Sequence, residues 1–151
     1  MSRNEELKLH VLKVDEEAGV TVENNEFYQA VLEIVEADPK MGAANDFSLY
    51  PYSVLENKDG EPSLLCFIIN RLEKPIKNLS FNFTFGNQDG EYIFDSNEVR
   101  LPNEYLGNLD KDALAPILLT MNKEDVDLFY TIDEHNVYVK MDDFGIDFIE
   151  S

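Results

Sequence analysis

From Phe47 onward the chain alternates apolar and polar residues with a period of two, whereas upstream of it the apolar residues recur at helical spacing. The clearest alternation sets Leu79, Phe81, Phe83 and Phe85 against Ser80, Asn82 and Thr84. In an extended chain this makes one apolar and one polar face. Asp89-Gly90 follows and Tyr92-Ile93-Phe94 returns, a hairpin signature because glycine takes the positive φ that a tight turn needs. The same grammar occurs earlier. Phe47, Leu49 and Tyr52 begin a strand running towards Leu55, Lys58-Asp59-Gly60-Glu61 turns, and Leu64 to Asn70 returns. Pro75 cannot join a central ladder, so the next strand is expected to begin around Ile76. Further strands are predicted at 97–101, 115–121, 128–132, 136–141 and 144–149.

Residues 24–37 read as a helix. Asn24 or Asn25 can cap it, Phe27, Val31, Ile34 and Val35 share a face, and Pro39 blocks continuation before the linker Met41-Gly42-Ala43-Ala44. Residues 4–17 admit two readings. Ser2 and Glu5 form a capping box ahead of Leu7, Val11, Val14 and Ala18, but Leu7, Leu9 and Val11 also alternate. In the second reading Val20-Thr21-Val22 pairs back across Asp15 to Gly19. Helix is the expectation and strand the alternative. The whole predicts a mainly β, α+β chain, an antiparallel Ig-like β-sandwich of about eight short strands preceded by one or two helices. Residues 1–42 form the helical segment and 43–151 the sandwich, as one folding unit.

Composition changes this picture little and charge changes it more. With 44% hydrophobic residues, among them ten Phe and seven Tyr, the chain has ample core material, and a domain of this size needs no disulfide or metal staple. Net charge is −19, split as 11 acids and 4 bases over residues 1–46, 8 and 5 over 47–102, and 12 and 3 over 103–151. The most neutral third is expected to supply the core and the acidic ends the surface. Such a chain repels phosphate backbones and anionic membranes, so nucleic acid is excluded as a partner. A basic protein partner or loose cation binding is permitted. The polar start Met1-Ser2-Arg3-Asn4-Glu5-Glu6 has no apolar signal region, and no apolar stretch reaches membrane length, so a cytoplasmic location without membrane insertion is expected.

Candidate chemistry is sparse. Cys66 sits in the apolar run Leu64-Leu65-Cys66-Phe67-Ile68-Ile69 and reads as a small buried hydrophobe. His10 falls in the ambiguous N-terminal element, and His135 in the turn Asp133-Glu134-His135-Asn136. They lack the spacing of a histidine-pair metal site. Calcium-loop registers on Gly60 and Gly90 place Asn57 and Asp59, or Asn87 and Asp89, correctly, but put Leu55 and Cys66, or Phe85 and Ser96, at the ends, so both are hairpin turns. Looser cation sites are conceivable among Asp110, Asp112, Glu124, Asp125 and Asp127, or at Asp142-Asp143. The triplets Asn78-Leu79-Ser80 and Asn82-Phe83-Thr84 match the glycosylation pattern but follow from the polar face of an alternating strand. No catalytic, cofactor-binding or metal-ligating residue is assigned and no cofactor is expected. Tyr50, Tyr52 and Tyr105 are candidates for an exposed aromatic patch.

Ile69-Asn70, Lys74-Pro75-Ile76, Leu79 with the Phe81 to Phe85 alternation, Gly90-Glu91-Tyr92-Ile93, Leu106-Gly107-Asn108-Leu109 and Ala115-Pro116-Ile117 together resemble the SLAP domain. That domain is an Ig-like module of Gram-positive bacteria associated with S-layer assembly and accessory secretion. The resemblance covers roughly residues 47–130. It departs where those domains carry a Pro-Trp-x-Phe-like segment, because this chain has no Trp and reads Ala115-Pro116-Ile117-Leu118. The pattern is also similar to the FxLYD class of small bacterial sandwiches. Both resemblances imply an Ig-like fold and a noncatalytic, protein-binding role, linked in the first case to the cell surface or secretion machinery. The alternative is an acidic inhibitor or immunity-type protein that neutralises a basic toxin or nuclease.

Overall fold

The computed structural model describes residues 5–56 and 60–149. In chain order, β1 (Lys8–Leu9), α1 (Lys13–Glu17) and α2 (Glu26–Ala37) precede β2 (Phe47–Glu56), β3 (Pro62–Asn70), β4 (Ile76–Asn87) and β5 (Tyr92–Leu101). They are followed by α3 (Asn103–Leu106), β6 (Ala113–Thr120), α4 (Asp125–Thr131) and β7 (Val137–Phe148). One sheet has the order β1-β6-β3-β2 and the other β5-β4-β7. They pack face to face in a sandwich-like arrangement, with α2 as a third layer. Among the described residues no helix is long and apolar enough to cross a membrane.

The burial of β3 explains its unbroken apolar run. Leu64, Cys66 and Ile68 face the inter-sheet core with Phe81, Phe83 and Phe85 of β4, while Leu65, Phe67 and Ile69 face Val31 and Val35 of α2. A strand covered on both faces has no place for polar alternation. On β4 only one face is covered, so its phenylalanines alternate with polar residues. Each fully buried side chain of this kind contributes about 1.5–3 kcal/mol.

The start of α2 is set by Asn25, whose Oδ1 accepts from the Tyr28 amide at 3.0 Å, satisfying one of the helix's orphan donors. The Tyr28 hydroxyl, at the end of a side chain that is 1% exposed, accepts from the Leu12 amide and donates to Asp15. Arg71 then fastens the N-terminal segment to the sandwich. It is 2% exposed and donates to the carbonyl oxygens of Glu5 (2.7 Å) and Met41 (2.7 Å) and to Asp112 Oδ1 (2.9 Å). Neighbouring Asn70, also buried, closes the corner between β3 and β4. It donates to the Lys74 and Leu109 carbonyls and accepts from the Leu72 amide.

Several expectations need correction. Of residues 4–17, Asn4 lies outside the described residues, and over the rest only Lys13–Glu17 is helical. Lys8–Leu9 pairs parallel with Ala113–Leu114, because the Lys8 and His10 amides find the Asp112 and Leu114 carbonyls. That pairing also departs from a purely antiparallel sheet. Ser2 lies outside the described residues, and Val20-Thr21-Val22 forms no strand but enters a turn closed by Thr21 and Asn24. The strand expected at 128–132 is instead α4. Val126 and Phe129, three residues apart, pack on the core together with Leu128 and Ile132. Asp125 and Asp127 stand in the first turn, where helix polarity favours acids. Among the described residues the eight short strands become six of at least eight residues plus β1, since 92–94 with 97–101, and 136–141 with 144–149, each form one bulged strand. Of the turn at 58–61, Lys58 and Asp59 lie outside the described residues, while Gly60 takes a φ of 75°.

Candidate functional site

The residues with recognisable chemistry are dispersed. His10 holds the Leu106 carbonyl at 2.6 Å through Nε2. A carbonyl only accepts, so that nitrogen carries the ring's hydrogen. His10 lines a cleft of about 340 Å³ with Lys13, Glu16, Asn103, Gly107 and Asn108. His135 is exposed in a turn organised by Asp133, whose Oδ1 accepts from the His135 and Asn136 amides. Cys66 is buried, and burial pushes its thiol pKa up, which disfavours the thiolate.

The acids gather no cation site. Asp112 is engaged by Arg71, and Asp110 is separated from Glu124, Asp125 and Asp127 by the eight residues of β6, roughly 25 Å of extended chain. Asp142 pairs with Lys140 at 3.3 Å, and Asp143 accepts from Asn82 at 2.9 Å. Among the described residues no three His, Cys, Asp or Glu side chains come together as metal ligands. Asn78 and Asn82 of the two glycosylation-type triplets bond to Asp147 and Asp143 across β4 and β7. Asn57 and Asp59 lie outside the described residues, and Gly90 turns the β4–β5 hairpin with a φ of 88°.

What the fold does bring together is an apolar seam between β2 and β7, the edge strands on one flank of the two sheets. Antiparallel register sets Val139 opposite Phe85, Met141 opposite Phe83, Ile146 opposite Leu79 and Phe148 opposite Ile76. Opposed residues share a face, so these side chains point between the sheets. The phase changes at a bulge. Asp142 opposes Asn82 and Gly145 opposes Ser80, which leaves Asp143 and Phe144 against Phe81. Asp143 absorbs the extra residue with a φ of 53°, a conformation that Asp tolerates better than most residues. Phe144 therefore turns inward, its ring centroid 6.1 Å from Phe47 and 5.9 Å from Phe81. Without the bulge, Asp143, Gly145 and Asp147 would face the core.

Although they face inward, Phe144 remains 46% and Val139 38% exposed. None of the twelve residues of β7 is fully buried, nor is any residue of β2 beyond Leu49. At the Val137 end the seam opens into a cleft of about 270 Å³ lined by Pro51, Tyr52, Phe85, Phe129, Ile132 and Val137, with the carboxylates of Asp133 and Glu134. Tyr52 packs on Phe67 with ring centroids 4.9 Å apart and is 51% exposed, and Tyr50 is 39% exposed. Tyr105 does not belong with them. It is half-buried against the core, and burial raises its phenol pKa.

Sequence reading missed the seam because it depends on which edges are left uncovered. The bulge has a local trace, since apolar alternation slips by one residue between Met141 and Phe144. Arg71 and Tyr28 carry no comparable signal. No family model, curated protein or solved structure matches the chain.

Proposed function

We propose that this protein is a noncatalytic protein-interaction module that engages its partner along the seam between β2 and β7. The observation that carries the reading is inward-facing apolar surface left open there, Val139 and Phe144 above all. Exposed apolar surface rimmed by polar groups is characteristic of interaction sites. The noncatalytic part rests on the environments of the acid–base groups, with His10 bonded to a carbonyl, His135 in a solvated turn and Cys66 held protonated.

An Ig-like fold belongs to the same proposal. It is supported by the strand order β2-β3-β6 against β5-β4-β7, with the chain crossing between sheets after β3, β5 and β6. Ig-type sandwiches distribute six of their strands in this way. The resemblance of residues 47–130 to SLAP domains supports a link to bacterial cell-surface or secretion machinery, and the reduced, buried Cys66 suits a cytoplasmic protein.

Affinity capture from host lysate at low and high salt, with cross-link mapping, tests the reading. The expected result is a protein partner cross-linked to β2 or β7 that survives high salt. Turnover of a substrate in a broad screen, with no partner captured, sinks it. The acidic-inhibitor reading is favoured by the 12 acids against 3 bases over residues 103–151. It requires a basic partner whose affinity collapses as salt rises.

A further inference from the structure

We infer, building on the interaction-module reading, that the seam takes up an extended basic strand of a partner protein, added to the free edge of β7 as a fourth strand of the second sheet. β7 ends the order β5-β4-β7, so among the described residues no strand pairs with its other edge. Beyond Val137, whose amide and carbonyl are taken by Asp133 and Gln88, an edge strand of this length presents outward backbone donors and acceptors, which are the template for strand addition.

Side chains on the two faces of β7 specify what an added strand carries. Towards the core, Val139 and Phe144 are 38% and 46% exposed, and an apolar residue on the incoming strand covers each. On the outer face, register with Asn82 and Asn78 places Asp142 and Asp147, and Asp143 projects from the bulge. Lys140, already paired with Asp142, is the one base in β7. Outward positions of the incoming strand are therefore basic, alternating with apolar inward ones. The cleft beside Val137, with Asp133 and Glu134, accepts a long cationic side chain whose stem lies against Phe129.

A second copy of this chain is a poor occupant, because β7 carries three aspartates against one lysine and pairing it with itself doubles that excess of negative charge. Nor do the carboxylates read as mere protection against edge pairing. Bulges and charged side chains also blunt edges, and β7 carries both at Asp143 and at Lys140 and Asp142, but a merely protected edge has no need of inward apolar side chains left open, as Val139 and Phe144 are.

Calorimetry of the full chain with a synthetic peptide of about ten residues, alternating Val and Lys, tests the inference. Two controls accompany it, one with Glu replacing Lys and one with Pro at two central Val positions, which keeps the charge but cannot pair. The Val–Lys peptide is expected to bind more tightly than either control by about tenfold or more, to weaken as salt rises, and to slow hydrogen exchange selectively over 137–148. The double variant Val139→Ser, Phe144→Ser, which preserves net charge, loses about tenfold in affinity. Should it fail to fold, Val139→Ser alone carries the same expectation with a smaller loss. Absence of binding, equal affinity for the proline peptide, unchanged exchange in β7, or self-association through β7 in sedimentation overturns the inference. Capture of the same host partner by wild type and double variant sinks the added strand but leaves the module reading standing. Peptide binding with no partner captured does the reverse.

Discussion

β5 and β7 lie on either side of β4, and each carries a bulge whose extra residue, Ser96 or Asp143, takes a positive φ of 52° or 53°, β5 shifting register once more between Phe94 and Tyr92. The bulges do the same work, shifting the phase of alternation so that apolar residues on both sides of the bend face the core. In β5 the apolar inward side chains are covered, with Phe94 5%, Val99 7% and Leu101 5% exposed, and the open inward position, opposite Phe83, is the polar Asn97. In β7 their counterparts Val139 and Phe144 are open. The difference lies in what stands opposite. β5 faces β6 and α4, whose Leu119, Val126 and Leu128 pack on the core. β7 faces β2, itself an edge, through Phe144 against Phe47, and meets α4 only at the Val137 end. Two strands with the same local design thus end as a closed flank and an open one, and openness belongs to the assembly rather than to the strand.

The contrast can be broken most severely where wrapping is most complete. Arg71 holds the N-terminal segment over the first sheet, and Arg71→Met leaves Asp112 and the Glu5 and Met41 carbonyls without their donor. A loss of about 3–5 kcal/mol in urea denaturation is expected, as for removing one partner of a buried ion pair. A loss near zero means the clamp contributes nothing net.

A sharper comparison truncates one ring on each flank. Phe94→Ala removes a covered side chain and is expected to cost about 3–5 kcal/mol. Phe144→Ala removes one that is nearly half exposed and should cost about half as much or less. Equal losses in matched denaturation curves contradict the division into closed and open flanks.

The wrapped side also predicts a pH response. Burial raises the pKa of Cys66 and Tyr28 above their ordinary values of 9.0 and 10.0. The folded chain keeps protons that the unfolded chain releases. Their contribution is therefore complete below about pH 9 and lost as pH rises beyond it. Thermal midpoints measured from pH 7 to 11 should fall on the alkaline side, and less steeply in Cys66→Ala and Tyr28→Phe. Parallel curves for all three proteins contradict this account. The smallest effect belongs to the open edge. Val139→Thr should alter stability by less than about 0.5 kcal/mol, and a larger loss in the free protein means that the seam is better packed than its exposure indicates.

Much of this was legible along the chain. The covered central strand is visible in the run from Leu64 to Ile69, the half-covered β4 in its alternating phenylalanines, and the corner after β3 in Asn70 and Pro75. α4 was misread because Leu128, Tyr130 and Ile132 alternate as a strand does, while Val126 and Phe129 also share a helical face. Two periods compete in seven residues, and packing against the core decides between them. The open seam was not legible. Val139 and Phe144 look like any core residues, and nothing local reveals that β7 lies at the edge of its sheet among the described residues.

By itself, the sequence determined the alternation that makes strands, the turn residues that end them, the amphipathic face of α2 and the acidic balance of the surface. Each depends on residues near one another in the chain, where side-chain spacing and backbone preference act directly. Only the tertiary structure decided that Lys8–Leu9 joins β6, that Arg71 is buried as a clamp, and that the flank between β2 and β7 stays open. These depend on contacts between segments far apart in the chain, Lys8 with Ala113 among them, and the free energy of burying an apolar or charged group is set by everything that surrounds it.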